Sequence, residues 1–292
     1  MASAEVRQIR RRIKSVQSTM KITRAMELIA TSRIAKARVR VAQSQPYTDK
    51  MNEVIRNLGA GGGGTSHPLL ERREVATAGL VVLSSDRGLA GGYNSNVIRM
   101  AEHRIHEIQD EGKRVRLYTV GEKARAYFAY RKFEIDQAWL GVTDTPGYGD
   151  ARMIGNALLE AYESESVDSV DVFTTRYVSA LTQKPVVWPV LPIEPPEAVE
   201  EDEAAVAYTF EPSAESILAR LLPRYLEGTV FGMLLEASAS EHAARRRAMK
   251  AATENAEELV RILTREANQA RQAEITTEIS EIVGGAEALS AG

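Results

Sequence analysis

The spacing of apolar residues changes along the chain, and each pattern predicts a different kind of element. Near the N-terminus the apolar positions step by 3, 4, 3 and 4, at Val6, Ile9, Ile13, Val16 and Met20. This heptad spacing is typical of a helix that winds around a second helix. It predicts one long helix over residues 3–58, which Pro46 should kink or break and which the glycines of 59–64 should end.

The middle of the chain has shorter apolar segments. Residues 78–83 form a continuous apolar run, which is typical of a strand buried on both faces. Further strands are predicted at 115–120, 133–140, 170–178, 185–193 and 205–210, and helices at 94–109, 122–130 and 150–162. This alternation predicts a layered α/β domain with a mainly parallel sheet.

A second long helix is predicted over residues 213–289, where Pro223 should cause an early kink or separate off a short helix. Its last apolar positions again follow heptad steps, at Ile275, Ile279, Ile282, Ala286 and Leu289. The same phase extended backward meets polar residues, at Gln272, Asn268, Arg265 and Arg261. Because a helix built only for stability would keep an apolar seam, these polar positions predict contacts that are made and released.

The predicted order of elements is therefore helix, α/β domain, helix. We expect the two terminal helices to pair as a long antiparallel coiled coil, with the α/β domain at one end of the rod. The corresponding domain limits are 1–58, 75–210 and 211–292.

Composition and charge narrow the class of protein. The net charge of −3 and the pI near 6.0 do not indicate a nucleic-acid-binding protein. The charge is uneven, since residues 1–40 are strongly basic and residues 194–203 are acidic. The chain has no cysteine, so it offers no disulfide and no thiolate metal ligand. No apolar run is long enough to span a membrane, and no secretory signal is evident.

Candidate chemistry in the sequence is sparse. The Gly-rich segment 86–92 could bind phosphate through backbone N–H groups, but it matches neither G-x-G-x-x-G nor the P-loop, so a structural strand-to-helix turn is favoured. Asp86 and Arg87 fit either a salt-bridge clasp or a functional contact. His103 and His106, three residues apart on a helix, are interpreted as a surface pair. No nucleophile lies at a spacing from a base that would indicate catalysis.

Two arginine clusters, at residues 10–12 and 245–247, are dense enough to predict an acidic protein partner. The basic N-terminal helix lacks the aromatic anchors that are typical of binding to a membrane surface or to single-stranded nucleic acid. A coiled-coil helix with a charged outer face is the better account of this segment.

Four segments of the sequence carry recognisable motifs. They are IRRRIKSVQSTMKITRAMELIATSRIAKA (9–37), SSDRGLAGGYNSNV (84–97), EHAARRRAMKAATENA (241–256) and RQAEITTEISEIVGGAEAL (271–289). In this order they resemble the opening helix, the Rossmann-like domain, the lower C-terminal helix and the C-terminal signature of the gamma subunit of rotary F-type ATP synthases. The resemblance covers nearly the full chain, and its terminal motifs are highly specific.

The resemblance implies a fold class of α/β type, in which a long antiparallel coiled coil of the terminal helices carries a Rossmann-like α/β domain. It implies a central shaft whose rotation couples ion flow through a membrane rotor ring to ATP synthesis or hydrolysis. Catalysis would belong to other subunits, with no cofactor or metal in this chain. The implied partners are a hexamer of alpha and beta subunits, the epsilon subunit and the c-ring, with one copy per complex at the cytoplasmic face of a bacterial plasma membrane.

The resemblance also implies particular contact residues. Met20, Lys21, Arg24 and Met26 would lie near the moving beta-subunit segment, Gln272, Thr276 and Glu278 near beta-subunit loops, and Phe210 and Glu211 near the rotor ring and epsilon. A Glu278→Ala substitution should then lower torque transmission more than fold stability, and should cost less folding than Ile279→Ala. The acidic loop at 194–203 matches no family motif, and no dithiol-based redox control is expected.

Two alternatives stay open at this point. One is a nucleotide-binding α/β enzyme with helical arms, and the other is a coiled-coil adaptor at an acidic membrane surface. Tight nucleotide binding at the Gly88 turn would favour the first of these.

Overall fold

The computed structural model describes residues 4–60, 67–194 and 214–290, which belong to two compact units. The helical unit comprises residues up to Ile29 together with those from Arg246 onward, and the sheet unit comprises residues 30–245. Helix α1 spans Ala4–Ala60 and helix α5 spans Ala214–Ser290, so both helices contribute to both units. The predicted domain limits follow the helix ends instead and stay a prediction.

Between the two long helices, strands and helices alternate as the sequence predicts. The strands are β1 Thr77–Leu83, β2 Arg114–Val120, β3 Gln137–Trp139, β4 Ser169–Tyr177 and β5 Gln183–Leu191, and the helices are α2 Tyr93–Asp110, α3 Glu122–Tyr130 and α4 Tyr148–Glu163. A short 3-10 helix at Pro68–Leu70 precedes the sheet. The strand order is β3-β2-β1-β4-β5, in which only the β4–β5 pair is antiparallel. The predicted mainly parallel α/β fold is confirmed.

The sheet buries apolar side chains on both faces. Leu80, Val82 and Phe173 pack with residues of α2 and α3, whereas Val81 and Val172 belong to the cluster formed with α4, α5 and the end of α1. Every residue of β1 is buried, as a continuous apolar run predicts for a central strand. The loops that follow β1 and β3 lie at the carboxyl ends of parallel strands. The buried charged residues described below lie beside these loops.

Strand β3 is shorter than the predicted strand at 133–140. Lys132 has a φ of 63°, and the Phe133 N–H donates to the Phe128 carbonyl at 2.9 Å, which closes the end of α3. The Phe133 ring packs edge-on against Phe128 with centroids 5.4 Å apart. The chain turns at residues 131–132, and residues 133–136 of the predicted strand lie outside β3. The predicted strand at 205–210 lies outside the described residues.

Neither proline divides its helix. Helix α1 continues through Pro46 and α5 continues through Pro223, so of the predicted alternatives the break at Pro46 and the separate short helix at Pro223 are excluded, and a kink at either proline stays a prediction. A proline inside a helix removes one hydrogen bond, but tertiary packing on both sides can hold the helix together. Helix α1 also runs through Gly59 to Ala60, past the predicted end.

The two helices of the helical unit pair antiparallel, as predicted. Thr23 Oγ1 lies 2.7 Å from Thr253 Oγ1, and Glu5 and Ile9 line a shared groove with residues 266–281. The seam positions of α1 keep heptad spacing, at Val6, Ile9, Ile13, Val16, Met20 and Thr23. The matching buried or half-buried positions of α5 are Met249, Thr253, Ala256, Val260, Leu263, Ala267 and Ala270.

The predicted seam from Ile275 onward is wrong in phase. Ile275, Ile279 and Ile282 are 44%, 56% and 70% exposed, and the buried seam follows the other phase, which contains Leu263. In an antiparallel pair each step forward along one helix is a step back along the other. The described start of α1 at Ala4 therefore falls opposite about residue 272 of α5. Beyond this level α5 faces only the first described turns of α1, where Glu5 and Ile9 share a groove with Thr277, Glu278 and Glu281.

The corrected phase of the α5 seam predicts different losses of stability for two similar substitutions. Leu263→Ala, at a side chain that is 3% exposed, should lower the free energy of unfolding by about 2–5 kcal/mol because it opens a cavity. Ile282→Ala, at a side chain that is 70% exposed, should change it by no more than about 0.5 kcal/mol. Urea unfolding of the full chain measures both, and equal losses would contradict the assigned seam.

Candidate partner-contact surfaces

Four of the predicted contact residues lie on α1 in the helical unit. Lys21 and Arg24 are exposed, whereas Met20 and Met26 are half-buried. Thr23 lies between them and faces the partner helix. Helix α1 therefore presents two cationic side chains outward at this level, beside two methionines whose flexible side chains are partly accessible.

Three further predicted contact residues lie on α5 and are all exposed. They are Gln272, Thr276 and Glu278, and the Thr276 hydroxyl donates to the Gln272 carbonyl at 2.9 Å within the helix. The level of Gln272 is roughly 30 Å along the helix from the level of Thr253, at about 1.5 Å per residue. The structure therefore places the α1 and α5 sets at two separate levels of the helical unit.

The remaining predicted contacts, Phe210 and Glu211, lie outside the described residues. So does most of the acidic segment at 194–203. Its first residue, Glu194, accepts from Arg72 Nη2 at 2.7 Å, an exposed ion pair of small energetic weight.

The Gly-rich turn after β1 is filled by the chain's own side chains. The Arg245 guanidinium of α5 donates to the Gly88 carbonyl at 3.2 Å from Nη2 and 3.3 Å from Nε, and to the Arg87 carbonyl at 3.4 Å. The turn thus presents carbonyl oxygens to a cation at this point, the opposite of a phosphate cradle. The geometry supports the structural interpretation of this segment over a nucleotide site.

Asp86 joins three segments through hydrogen bonds, and its described contacts include no ion pair with Arg87, so the salt-bridge alternative is not the one observed. Its carboxylate accepts from the N–H of Glu122 at 3.2 Å, of Gly141 at 2.9 Å and of Thr143 at 3.2 Å, and from the Thr143 hydroxyl at 2.9 Å. The described contacts of Asp86 therefore join the β1 turn to the start of α3 and to the loop after β3.

The two histidines of α2 are exposed, as predicted. His103 Nδ1 lies 3.0 Å from a Glu107 carboxylate oxygen, and the His106 ring packs against Phe133 with centroids 5.9 Å apart.

A buried charged cluster in the sheet unit was not found from the sequence. Glu241 and His242 of α5 are 1% and 2% exposed, and Arg245, one turn later, is 7% exposed. Arg245 Nη2 donates to Glu241 Oε1 at 2.6 Å, and Asp144, in the loop after β3, pairs with Arg33 of α1. The i, i+4 spacing of Glu241 and Arg245 was the one available signal, but such pairs are usually on the surface. The predicted role of Arg245 in a basic patch for an acidic partner is wrong, because its side chain is buried.

Burial sets the protonation of this cluster. Desolvation raises the pKa of Glu241 to about 7, and its Oε2 atom is buried without a hydrogen-bond partner among the described residues. Burial lowers the pKa of His242, which favours the neutral ring. Burial opposes ionisation of Asp144 as well, but the bond from Arg33 lowers the pKa of that carboxyl. The cluster therefore holds two arginines, one firmly ionised carboxylate and one carboxyl that titrates near neutral pH.

The ligand atoms of Asp144, Glu241 and His242 lie within 4.8 Å of one another, which is the spacing of a candidate cation site. The carboxylates of this group already pair with Arg33 and Arg245. A divalent cation would sit against two guanidinium groups that cannot lose their charge. The donor set therefore fits a buried salt-bridge network better than a metal centre.

Taken together, these features define a protein built on two long terminal helices that pair antiparallel, with a mainly parallel α/β sheet formed by the segment between them. No helix in the described ranges combines the length and the apolar content needed to cross a lipid bilayer.

Comparison with known proteins agrees with this class. The family model described as ATP synthase matches residues 5–289. The ATP synthase gamma chain of Saccharopolyspora erythraea is 49% identical, over 98% of this chain and 98% of its own. That of Frankia casuarinae is also 49% identical, over 99% of both chains. A chain of the Euglena gracilis mitochondrial ATP synthase in rotational state 3 shares the fold, with a TM-score of 0.72 at 19% identity, over 99% of this chain and 95% of that one.

The chain belongs to the gamma-chain family of the ATP synthases. It is the rotor subunit of the central stalk of an F-type ATP synthase and does not itself catalyse ATP synthesis or hydrolysis.

Proposed function

We propose that this rotor couples ion flow through a membrane c-ring to the catalytic cycle of a hexamer of alpha and beta subunits. The observation that carries the proposal is the end of α5, where Ile275, Ile279 and Ile282 are exposed among polar residues. An exposed apolar surface of this kind is typical of a segment that a partner covers. Solved relatives of the same fold belong to mitochondrial ATP synthases described with F1 and the c-ring.

The contact residues divide by level along the helices. Lys21 and Arg24 offer two exposed cations to an acidic, moving segment of a beta subunit, with Met20 and Met26 as adaptable apolar neighbours. Long cationic side chains can form and release such contacts at little energetic cost because surface ion pairs are weak.

The second level lies at the end of α5. Gln272, Thr276 and Glu278 present neutral and acidic groups to beta-subunit loops near the top of the shaft, and Phe210 and Glu211 would approach the c-ring and the epsilon subunit. In this proposal one copy of the chain serves each complex, at the cytoplasmic face of the bacterial plasma membrane.

Direct observation of rotation tests the proposal. The chain is coexpressed with the alpha and beta subunits of its own source, and a bead is attached through Tyr130→Cys, at a side chain that is 85% exposed in the sheet unit. The chain has no other cysteine, so the attachment is unique. We expect ATP to drive continuous rotation of the bead. A complex that assembles and hydrolyses ATP while the bead stays still would contradict the proposed coupling.

A point substitution tests the second level. Glu278→Ala should lower ATP-driven proton pumping per ATP hydrolysed, while the free energy of unfolding of the chain changes by no more than about 0.5 kcal/mol, since the position is exposed. The sequence-based comparison with Ile279→Ala needs revision, because Ile279 is 56% exposed and its truncation should also spare folding. Leu263→Ala is the proper destabilised reference. A stability loss for Glu278→Ala as large as that of Leu263→Ala would contradict a contact role.

A further inference from the structure

Residues 237–245 of α5 are bound to several surrounding elements by hydrogen bonds. Over residues 237–245 the helix makes hydrogen bonds to α2, to β4, to the loop after β3 and to the turn after β1. Tyr93 donates to the Ala237 carbonyl at 3.1 Å, Ser240 donates to the Thr175 carbonyl at 3.0 Å, and Ser238 donates to the Asp144 carbonyl at 3.2 Å. We call residues 237–245 and their partners the polar clamp.

Charge strengthens the last turn of the polar clamp. Arg245 reaches two carbonyls of the β1 turn and the Glu241 carboxylate at once, and its Nη1 lies 3.4 Å from His242 Nδ1. The loop after β3 is tied in turn to α1, through the pair of Arg33 with Asp144. Bonds to charged groups in a dry environment are about twice as strong as neutral ones.

The polar clamp differs from the preceding turns of α5 in the number of its directional bonds. Among the described side-chain hydrogen bonds, those turns are joined to the rest of the sheet unit by that of the Tyr148 hydroxyl to the Glu227 carboxylate, at 2.7 Å. The preceding turns of α5 contribute Leu218, Leu222, Leu226 and Val230 to an apolar cluster. Apolar burial is not directional, so it resists separation of a helix more than it resists turning of the helix about its axis. A rotation of about 30° moves a group at the helix surface, about 5 Å from the axis, by roughly 2.5 Å. Such a displacement breaks a hydrogen bond but can leave apolar surface buried.

We propose that the polar clamp is the joint that prevents α5 from turning about its axis relative to the sheet, so that torque passes between the sheet unit and the helix at this point. This inference rests on the proposed rotary function. It assigns Tyr93, Ser240, Glu241 and Arg245 as positioning residues for torque transmission. These residues are distinct from the residues proposed to contact partner subunits.

A stiffness measurement on the assembled complex tests the joint. The alpha–beta hexamer is fixed to glass, the bead is attached through Tyr130→Cys, and rotation is halted by withholding ATP. The angular variance of the halted bead reports how much the rotor can twist. The test variant is Glu241→Met with Arg245→Met, which removes the charged bonds and keeps apolar volume in place. The control is Glu122→Met with Arg125→Met, a partly exposed Arg–Glu pair on α3 with bonds of 2.7 Å.

We expect the angular variance of the test variant to rise about twofold or more, because charge-assisted bonds carry much of the directional restraint. Protons pumped per ATP hydrolysed should fall in the same variant, and both readouts should stay at wild-type values in the control. A folded, assembled test variant with wild-type variance would overturn the joint. A wild-type complex that hydrolyses ATP without turning the bead would overturn the proposed function instead, so the two failures are distinguishable.

A milder variant covers the case in which the double methionine variant fails to assemble. Tyr93→Phe with Ser240→Ala removes two bonds to main-chain carbonyls and leaves every charge in place. Its angular variance should also exceed that of the control, by a smaller factor. Equal variance in this variant and the control would likewise overturn the inference.

Discussion

Replacing Arg245 by methionine alone is expected to lower the free energy of unfolding by about 3 kcal/mol at neutral pH. The substitution removes the donor for the carbonyls of Arg87 and Gly88 and for one oxygen of Glu241. These acceptors lie in or beside a cluster from which water is excluded, so their lost bonds are not simply replaced by solvent. The carboxyl of Glu241 can take up a proton, which limits the loss below that of a fully stranded charge.

Two comparison variants separate the parts of this effect. The further change Glu241→Met in the Arg245→Met background should recover about 1–2 kcal/mol, because it removes the buried carboxyl that has lost its partner. Arg245→Lys keeps the charge but not the planar fork, so it should fall between wild type and Arg245→Met. Urea unfolding of the full chain provides all three values. An Arg245→Met loss below about 0.5 kcal/mol, the range of ordinary surface changes, would contradict the burial of this cluster.

The overall fold could be predicted from the spacing of apolar residues along the sequence. Periodicity is a local property, so the heptad steps of α1 and the apolar run of β1 each determine their own element. The order of those elements then leaves few topologies for a mainly parallel sheet. The prolines do not end their helices because a propensity applies to an isolated helix, whereas α1 buries Ile34 and Met51 on either side of Pro46 and α5 buries Leu222 and Leu226 on either side of Pro223.

The phase of the α5 seam could not be read from α5 alone. Two apolar phases compete there, one through Leu263 and one through Ile279, and only the position of the partner helix decides between them. The phase through Ile279 contains the larger side chains near the end of the helix. Its residues are exposed, whereas the half-buried positions at this end of α5, Ala270 and Glu274, belong to the phase of Leu263.

The polar clamp could not be predicted from the sequence, for a related reason. Arg245 is followed by Arg246 and Arg247, and such a run normally marks a solvated surface. Burial of its first member depends on carbonyl groups that lie about 157 positions away in the chain, at the turn after β1. A contact of that separation leaves no periodic trace in a single sequence.

The stability of the chain should depend on pH through Glu241. Its pKa is raised from 4.5 to about 7 by burial, so the folded chain binds the proton more tightly than the unfolded chain. The contribution to stability is therefore fully present below about pH 4.5 and is lost as the pH rises through about 7, by about 3 kcal/mol in total. The groups that face this carboxyl are Arg245 and His242 on α5, Asp144 and Asp86 in the two loops, and Tyr93 on α2.

Glu241→Gln isolates this dependence, because the amide keeps the shape of the carboxyl and does not titrate. We expect Glu241→Gln to gain about 2 kcal/mol relative to wild type when the pH is raised from about 5 to about 8. The pKa of His242 is lowered by burial, so its own contribution is lost as the pH falls below about 6.5, which is the opposite direction. That contribution is common to both proteins and largely cancels in the difference. Urea unfolding curves at each pH give the measurement. A difference between the two proteins that stays constant across the range would mean that Glu241 is ionised throughout, and that Arg245 offsets its burial completely.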